Sequence, residues 1–215
     1  DGKDPLGAIP RADYLLLTHG HRDHVGDVVE IAQKTGALLI CNPELAGNLV
    51  KLADFPSKQA ENIMGIGDEI QIADGEVTIA MTQAIHSSSV FNSKAGPTEP
   101  VRAYGGSPAG FVIAIKNGPT FYHSGDTAYF SDMGLIGESY SIDVALLNIG
   151  SNLGQPGMAV KATRSLRAKL TIPHHFGTFP GILQQANGVA GEFKRLHFPF
   201  HEMRPGEIVR FRGKR

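Results

Sequence analysis

The segment "DYLLLTHGHRDHVGD", Asp13 to Asp27, constrains this chain more than any other stretch. An apolar run, Tyr14 to Leu17, feeds directly into a loop that carries His19, His21, Asp23 and His24. A short apolar run bounded by polar residues reads as a buried strand, so these four side chains stand where a strand ends, at the edge of a sheet. His19 and His21 are two residues apart and in an extended segment point the same way, while Asp23 and His24 follow on the turn into a helix. With nine histidines in 215 residues, a His-x-His-x-Asp-His hexapeptide arises by chance in about one chain in a thousand of this composition, which favours a metal-ligand loop over a polar loop that caps a helix.

The remaining chain keeps a strand and helix rhythm. "HVGDVVEIAQKTG" reads as a helix ended by Gly36, "ALLIC" as a second buried strand, and "PELAGNLVKLAD" as a helix with Pro43 in its first turn. From Ile63 to Ile85 the pattern changes to short period-two segments divided by Gly-Asp and Asp-Gly turns, which predicts hairpins. Ser87 to Gly110 is rich in Ser, Gly and Pro, has little periodicity, and is longer than an ordinary connection, as functional or mobile loops are. "GFVIAIKNG" and "PTFYHSGDT" read as strands meeting at an Asn-Gly-Pro turn, "DVALLNIG" as a buried strand, "PGMAVKATRSLRAK" as a helix, "LTIPHHFGTFP" as a strand running into a loop, and "GEIVRFRG" as a closing strand. Helices between strands, together with sheet-only stretches, predict a layered α/β sandwich in one domain, 1–215.

Composition narrows the partners. The chain is 41% hydrophobic and 19% charged, an ordinary globular balance. Its formal net charge of −1 provides no global field toward nucleic acid or an anionic membrane, and the basic tail "RFRGKR" is short enough to be a solvated terminus. No apolar run approaches the roughly 20 residues needed to span a bilayer. The single cysteine, Cys41, excludes an intramolecular disulfide and follows "ALLI", which reads as a buried packing thiol. With no visible signal peptide, the expected location is cytoplasmic.

Three further residues sit where strands end: His86 after "VTIAMTQAI", Asp126 in "HSGDT" and His175 in "PHHFGT". Singly, each also reads as a structural histidine or a turn aspartate. Counted with His19, His21, Asp23 and His24 they give seven imidazole and carboxylate donors, too many for one tetrahedral ion and suited to two ions that share a carboxylate. That donor set fits Zn²⁺ first, with Mn²⁺ and Fe²⁺ as alternatives, and the lone Cys excludes a thiolate site.

The set resembles that of the metallo-β-lactamase superfamily: "THGHRDH" matches its H-x-H-x-D-H signature, His86 in "IHSSS" its next histidine, Asp126 in "HSGDT" its bridging aspartate, and His175 in "PHHFGT" its last histidine. The resemblance runs from about Asp13 to Pro180 and implies a four-layer αββα sandwich with a binuclear centre. It implies His19, His21 and His86 on one metal, Asp23, His24 and His175 on the other, and Asp126 between them. "GDTAYFSDM", "YGGSPAGFVI" and "IPHHFGTFP" are similar to a largely uncharacterised branch of metal-dependent hydrolases related to ascorbate-6-phosphate lactonase. Because that branch carries methionine then histidine before the aromatic residue, the resemblance gives the ligand role to His175 and leaves His174 beside it. Two departures stand out. The strand pair that normally opens the superfamily's fold is not found ahead of Asp1, so the sandwich is expected to lack its N-terminal strands and to pair with a missing N-terminal segment or a second copy in a homo-oligomer. The loop "SNLGQPG", Ser151 to Gly157, also differs from the branch, which weakens any transfer of substrate from relatives.

The chemistry expected is hydrolysis of an ester, lactone or phosphoester of a small molecule by a metal-bridging hydroxide, with the ions stabilising the developing oxyanion. Asp23 is expected to hold the hydroxide's proton while ligating, and His123 is the first candidate general acid, with His174 and Tyr104 also placed for that role. His123 reads equally as a packing histidine on the face opposite Asp126. Ser87, Ser88, Ser89 and Ser124 read as hydrogen-bond donors or turn formers, and Thr127 and Thr178 as residues that orient neighbouring ligands. Competing readings are a binuclear nuclease or phosphodiesterase, which would want a basic stripe that the chain lacks; an iron and flavin oxygen reductase, which would want a flavin domain; and a non-catalytic metal-binding module.

Overall fold

In a computed structural model, which describes residues 6, 7, 9–92, 94–98, 101–211 and 213, the chain divides into two compact units, each discontinuous in sequence. One comprises 1–68 and 87–108, the other 69–86 and 109–215. In chain order the strands are β1 (Tyr14–Leu16), β2 (Leu38–Cys41), β3 (Asn62–Ile63), β4 (Glu69–Ile72), β5 (Val77–Gln83), β6 (Ser89–Phe91), β7 (Arg102–Tyr104), β8 (Ala109–Ile115), β9 (Thr120–His123), β10 (Val144–Asn148) and β11 (Leu170–His174). The α-helices are α1 (Arg22–Val25), α2 (Val28–Thr35), α3 (Pro43–Leu52), α4 (Met133–Ser139), α5 (Met158–Ser165) and α6 (Asn187–Arg195).

The first unit holds a parallel sheet in the order β1-β2-β3 and a separate antiparallel hairpin, β6-β7. Its core is apolar and mostly aliphatic: Leu17, Ala32, Leu39, Leu45, Leu49, Phe55 and Val90 are all buried. The apolar stripes of α2 and α3 supply Val28 and Ala32, and Leu45, Ala46 and Leu49, to this core at helical spacing. Helix α3 starts where the sequence says it should. Asn42 accepts a hydrogen bond from Leu45 N at 2.8 Å and Pro43 follows at a position that needs no N–H. The same Asn42 amide donates to the carbonyls of Gly105 and Ser107 at 3.1 Å each, tying the later loop to the first βαβ segment. Cys41 is buried at the end of β2, and burial pushes its thiol up to about 12, the behaviour of a packing side chain.

The second unit is built on a mixed sheet in the order β11-β10-β9-β8-β5-β4, with β9, β10 and β11 parallel and the rest antiparallel. Helices α4 and α5 pack over a core of Val112, Tyr122, Met133, Ile142, Leu147 and Leu166, and α6 joins α5 in a second cluster around Phe193. Among the described residues no helix is long and apolar enough to cross a membrane.

Four local expectations are corrected. The helix read from His24 to Gly36 is broken: Gly26 at φ +44° ends α1 after one turn, and α2 begins at Val28. Asn62–Ile63 pairs in parallel with β2, so only β4 and β5 form the hairpin expected there. The loop from Ser87 to Gly110 contains the hairpin β6-β7, whose three-residue strands were too short to show a period; residues 93, 99 and 100 lie outside the described residues. The closing strand expected at "GEIVRFRG" is irregular over 207–211, because Ile208 is exposed and among the described residues no neighbouring strand takes up its ladder; Arg212, Lys214 and Arg215 of the basic tail lie outside the described residues. Helices α4 and α6, rich in glycine at "MGLIGES" and "NGVAGEFKR", had no helical signature in the sequence.

Candidate functional site

In the first unit the ligand loop leaves β1 at Leu17, whose N–H still bonds to Ile40 O, so the sheet ladder carries the chain up to Thr18. Thr18 and His19 are buried. Thr18 Oγ1 stands 3.0 Å from His19 Nδ1, which turns His19 Nε2 toward His21 Nδ1, also at 3.0 Å. The His19 ring lies 4.6 Å from that of His21 and 4.1 Å from that of His24. Three imidazoles therefore converge on one turn of chain. Asp23 and His24 come from α1, and Asp23 Oδ2 lies 3.7 Å from His24 Nε2. The break at Gly26 keeps this first turn separate from α2 and lets it be placed by the loop rather than by a long helix axis. Gly20 is required by close approach: a Cβ there would stand 2.9 Å from Val90 Cγ2 and 3.1 Å from Leu45 Cδ1. Its N–H donates to Ser88 Oγ at 3.2 Å, and Ser87 Oγ lies 3.4 Å from His21 Nε2. Tyr104 is exposed at the end of β7, where its carbonyl accepts from Asn48 Nδ2.

In the second unit His86, Asp126 and His175 are gathered by strand ends of one sheet. Asp126 Oδ2 is 3.6 Å from His86 Nε2 and 3.6 Å from His175 Nε2. These separations exceed an N–H···O hydrogen bond of about 2.7–3.2 Å. They match two donors on a shared ion: ligands about 2.1 Å from a tetrahedral metal stand about 3.4 Å apart. The donor set of this unit thus fits a divalent cation on geometry. The buried Asp126 has its other oxygen occupied, since Asn148 Nδ2 donates to Oδ1. Asn148 Oδ1 accepts from Gly150 N at 2.7 Å, which fixes the amide so that its NH₂ must face Asp126.

Asp126 itself lies past the end of β9, beyond Gly125 at φ +56°, and not on the strand with His123. The strand alternation used to oppose the two residues therefore does not apply. His123 Nδ1 accepts the Gly125 N–H at 3.1 Å, and the His123 ring stacks 4.6 Å from His174, across β10. His175 follows at φ +58°, a left-handed conformation that costs a non-glycine residue about 1–2 kcal/mol. That kink separates the two histidines, leaving His174 with His123 and bringing His175 to Asp126. Gly150 makes room for it: a Cβ there would stand 2.0 Å from His175 O and 2.6 Å from its Nδ1. The buried Thr127 ties two ligand-bearing segments together, its Oγ1 accepting from Ile85 N at 2.9 Å while Ala128 N donates to Ile85 O. Thr178 is exposed in the loop beyond His175.

Sequence reasoning missed Thr18, Gly20, Asn148 and Gly150. Asn148 did carry a signal, as the one amide inside the apolar run "VALLNIG". A buried side-chain amide requires partners, and here they are Asp126 and Gly150.

Comparison with known proteins agrees with this geometry. Residues 2–176 match the Beta-lactamase superfamily domain. The chain is 43% identical over 199 residues to a UPF0173 metal-dependent hydrolase of Thermodesulfovibrio yellowstonii, covering 91% of this chain and 72% of that one. It is 44% identical over 180 residues to a UPF0173 metal-dependent hydrolase of Anaeromyxobacter dehalogenans, covering 82% of this chain and 63% of the relative. The structure of a metallo hydrolase from the hyperthermophilic archaeon Ignicoccus hospitalis superposes with a TM-score of 0.73 at 32% identity, over 92% of this chain and 78% of that one.

Proposed function

The chain belongs to the UPF0173 metal-dependent hydrolase family, within the β-lactamase superfamily and with its α/β fold, and from that premise we propose that it is a binuclear metal-dependent hydrolase of small-molecule ester, lactone or phosphoester bonds. The observation that carries the proposal is the Asp126 carboxylate, with one oxygen pinned by Asn148 and the other 3.6 Å from the Nε2 atoms of both His86 and His175. On this reading that oxygen is the one two cations would share. The resemblance to the superfamily gives the remaining donor roles to His19, His21, Asp23 and His24.

Divalent ions bound by these residues, Zn²⁺ foremost, would supply Lewis acidity and an activated water at neutral pH. The chain's own groups do the positioning. Thr18 sets the ring of His19, and Asn148 leaves one Asp126 oxygen directed at the imidazoles. Asp23, exposed on its first helical turn, is the carboxylate this reading uses to hold a proton of the attacking water. The paired rings of His123 and His174, 4.6 Å apart, are the candidates to donate a proton to the leaving group.

The test is elemental analysis of protein purified without added metal, beside hydrolysis of 4-nitrophenyl esters, lactones, and phosphate mono-, di- and triesters, with Asp126→Ala as control. About two equivalents of metal and an activity abolished in Asp126→Ala are expected. Protein that binds no metal on reconstitution, or activity that survives Asp126→Ala, refutes the proposal.

A further inference from the structure

Beside the ligand loop, within the first unit, lies a cavity of about 300 Å³ lined by His21, Arg22, Asp23, Ser89, Phe91 and Arg102. That volume is at the lower end of ligand-binding pockets and suits a small polar fragment. Two of its six wall residues are arginines. Arg102 stands directly across the β6-β7 ladder from Phe91, and the Arg22 guanidinium sits over the same Phe91 ring, 5.3 Å from its centroid. The aromatic ring holds Arg22 in place through cation–π contact and leaves the edge of the guanidinium to donate hydrogen bonds.

Neither arginine forms an ion pair among the described residues, whereas Arg11 and Arg167 engage Asp13 and Glu138 at 2.8 and 2.9 Å. Among the described residues, Asp23 is the one carboxylate on the cavity wall, and the hydrolase reading gives it to a cation. Two fork-shaped cations and Ser89 lining one small cavity next to a ligand loop form a receptor for an oxyanion. We propose that this cavity binds a negatively charged group, phosphate or carboxylate, carried by the small organic substrate, with Arg22 and Arg102 as its specificity-determining residues. The inference rests on the hydrolase reading for its use and on the cavity alone for its chemistry.

Binding can be read without turnover. The metal-loaded protein is titrated calorimetrically with phenylphosphonate, phenylacetate and the neutral dimethyl phenylphosphonate, in wild type, Arg102→Ala, Arg102→Lys and Lys51→Ala. Lys51 is an exposed cation on α3 whose removal changes net charge equally. The expected result is that at least one anion binds more tightly than the neutral ester and that Arg102→Ala weakens it about tenfold, as loss of a charge-assisted hydrogen bond does. Arg102→Lys recovers part of that loss, and Lys51→Ala changes it less than about twofold. Anion binding unchanged in Arg102→Ala, or weakened as much by Lys51→Ala, overturns the proposal. The two readings fail separately: a chain that hydrolyses nothing can still show arginine-dependent anion binding, and an active hydrolase can lack it.

Discussion

Replacing Asn148 by alanine removes two buried hydrogen bonds at once, the one its Nδ2 donates to Asp126 Oδ1 and the one its Oδ1 accepts from Gly150 N. The bond to the charged acceptor contributes about 1.5–3 kcal/mol and the bond from the backbone about 1 kcal/mol. Asn148 is fully buried, so water does not readily replace either. The expected loss is about 3–4 kcal/mol, a large share of the roughly 5–15 kcal/mol that holds a domain folded. At about 2–4 °C per kcal/mol for a chain of this size, the midpoint falls by roughly 10 °C. Urea denaturation in the presence of a chelator measures this without a contribution from metal. With metal returned, competition against a chromophoric chelator should show affinity down about 10- to 100-fold, the usual effect of losing a group that orients a ligand. Asn148→Asp separates orientation from packing, since it keeps the acceptor for Gly150 but sets a second carboxylate against Asp126. Such a pair holds an extra proton when folded, so the variant's stability falls as pH rises from acid toward neutral. An Asn148→Ala protein that loses less than about 1 kcal/mol and keeps metal affinity within about twofold would refute the pinning of Asp126.

Three further outcomes follow from the same geometry. Gly150→Ala places a Cβ 2.0 Å from His175 O and 2.6 Å from its Nδ1, so His175 must move; metal content should fall while far-UV circular dichroism stays native, and a variant with full metal content would contradict this. His175 sits at φ +58°, so His175→Gly should be more stable than His175→Ala by about 1 kcal/mol in chelator, the reverse of the usual order of these residues; equal stabilities would show that the kink relaxes in both. The Cys41 thiol, buried and pushed up to about 12, should react with a disulfide reagent at pH 8 only on the timescale of unfolding, and rapid labelling of the native protein would show that the end of β2 opens.

The fold was legible where burial writes a period into the sequence. The strand Leu38–Cys41 and the helix Pro43–Leu52 announce themselves through an apolar run and through Pro43 in the first turn, and both stand where those signals put them. Helices α4 and α6 carry glycines in their interiors and depend on tertiary burial of Met133, Val189 and Phe193, which local propensity does not record. The strand expected at the C-terminus fails for the converse reason. Alternation at Val209 and Phe211 is a local pattern, and a strand also needs a neighbour to complete its ladder.

The candidate donors stood out for a different reason: metal chemistry restricts residue type, so spacing marks the loop His19 to His24, while the roles of His86, Asp126 and His175 came from the resemblance to the superfamily. The residues that aim those donors are chosen by geometry instead, and geometry leaves fainter marks. Thr18 looks like the polar end of any strand, and Gly20 and Gly150 look like any loop glycine until the atoms a side chain would strike are known. Asn148 is the exception that shows what to look for. In "VALLNIG" an amide is buried among aliphatic side chains at the third position from the end, where an unpartnered amide would cost about 1–3 kcal/mol. Such a residue persists only if something equally buried needs its donor. In this unit that something is a carboxylate with two imidazoles near its other oxygen, and a lone polar residue in an apolar strand therefore points to the ligand it serves.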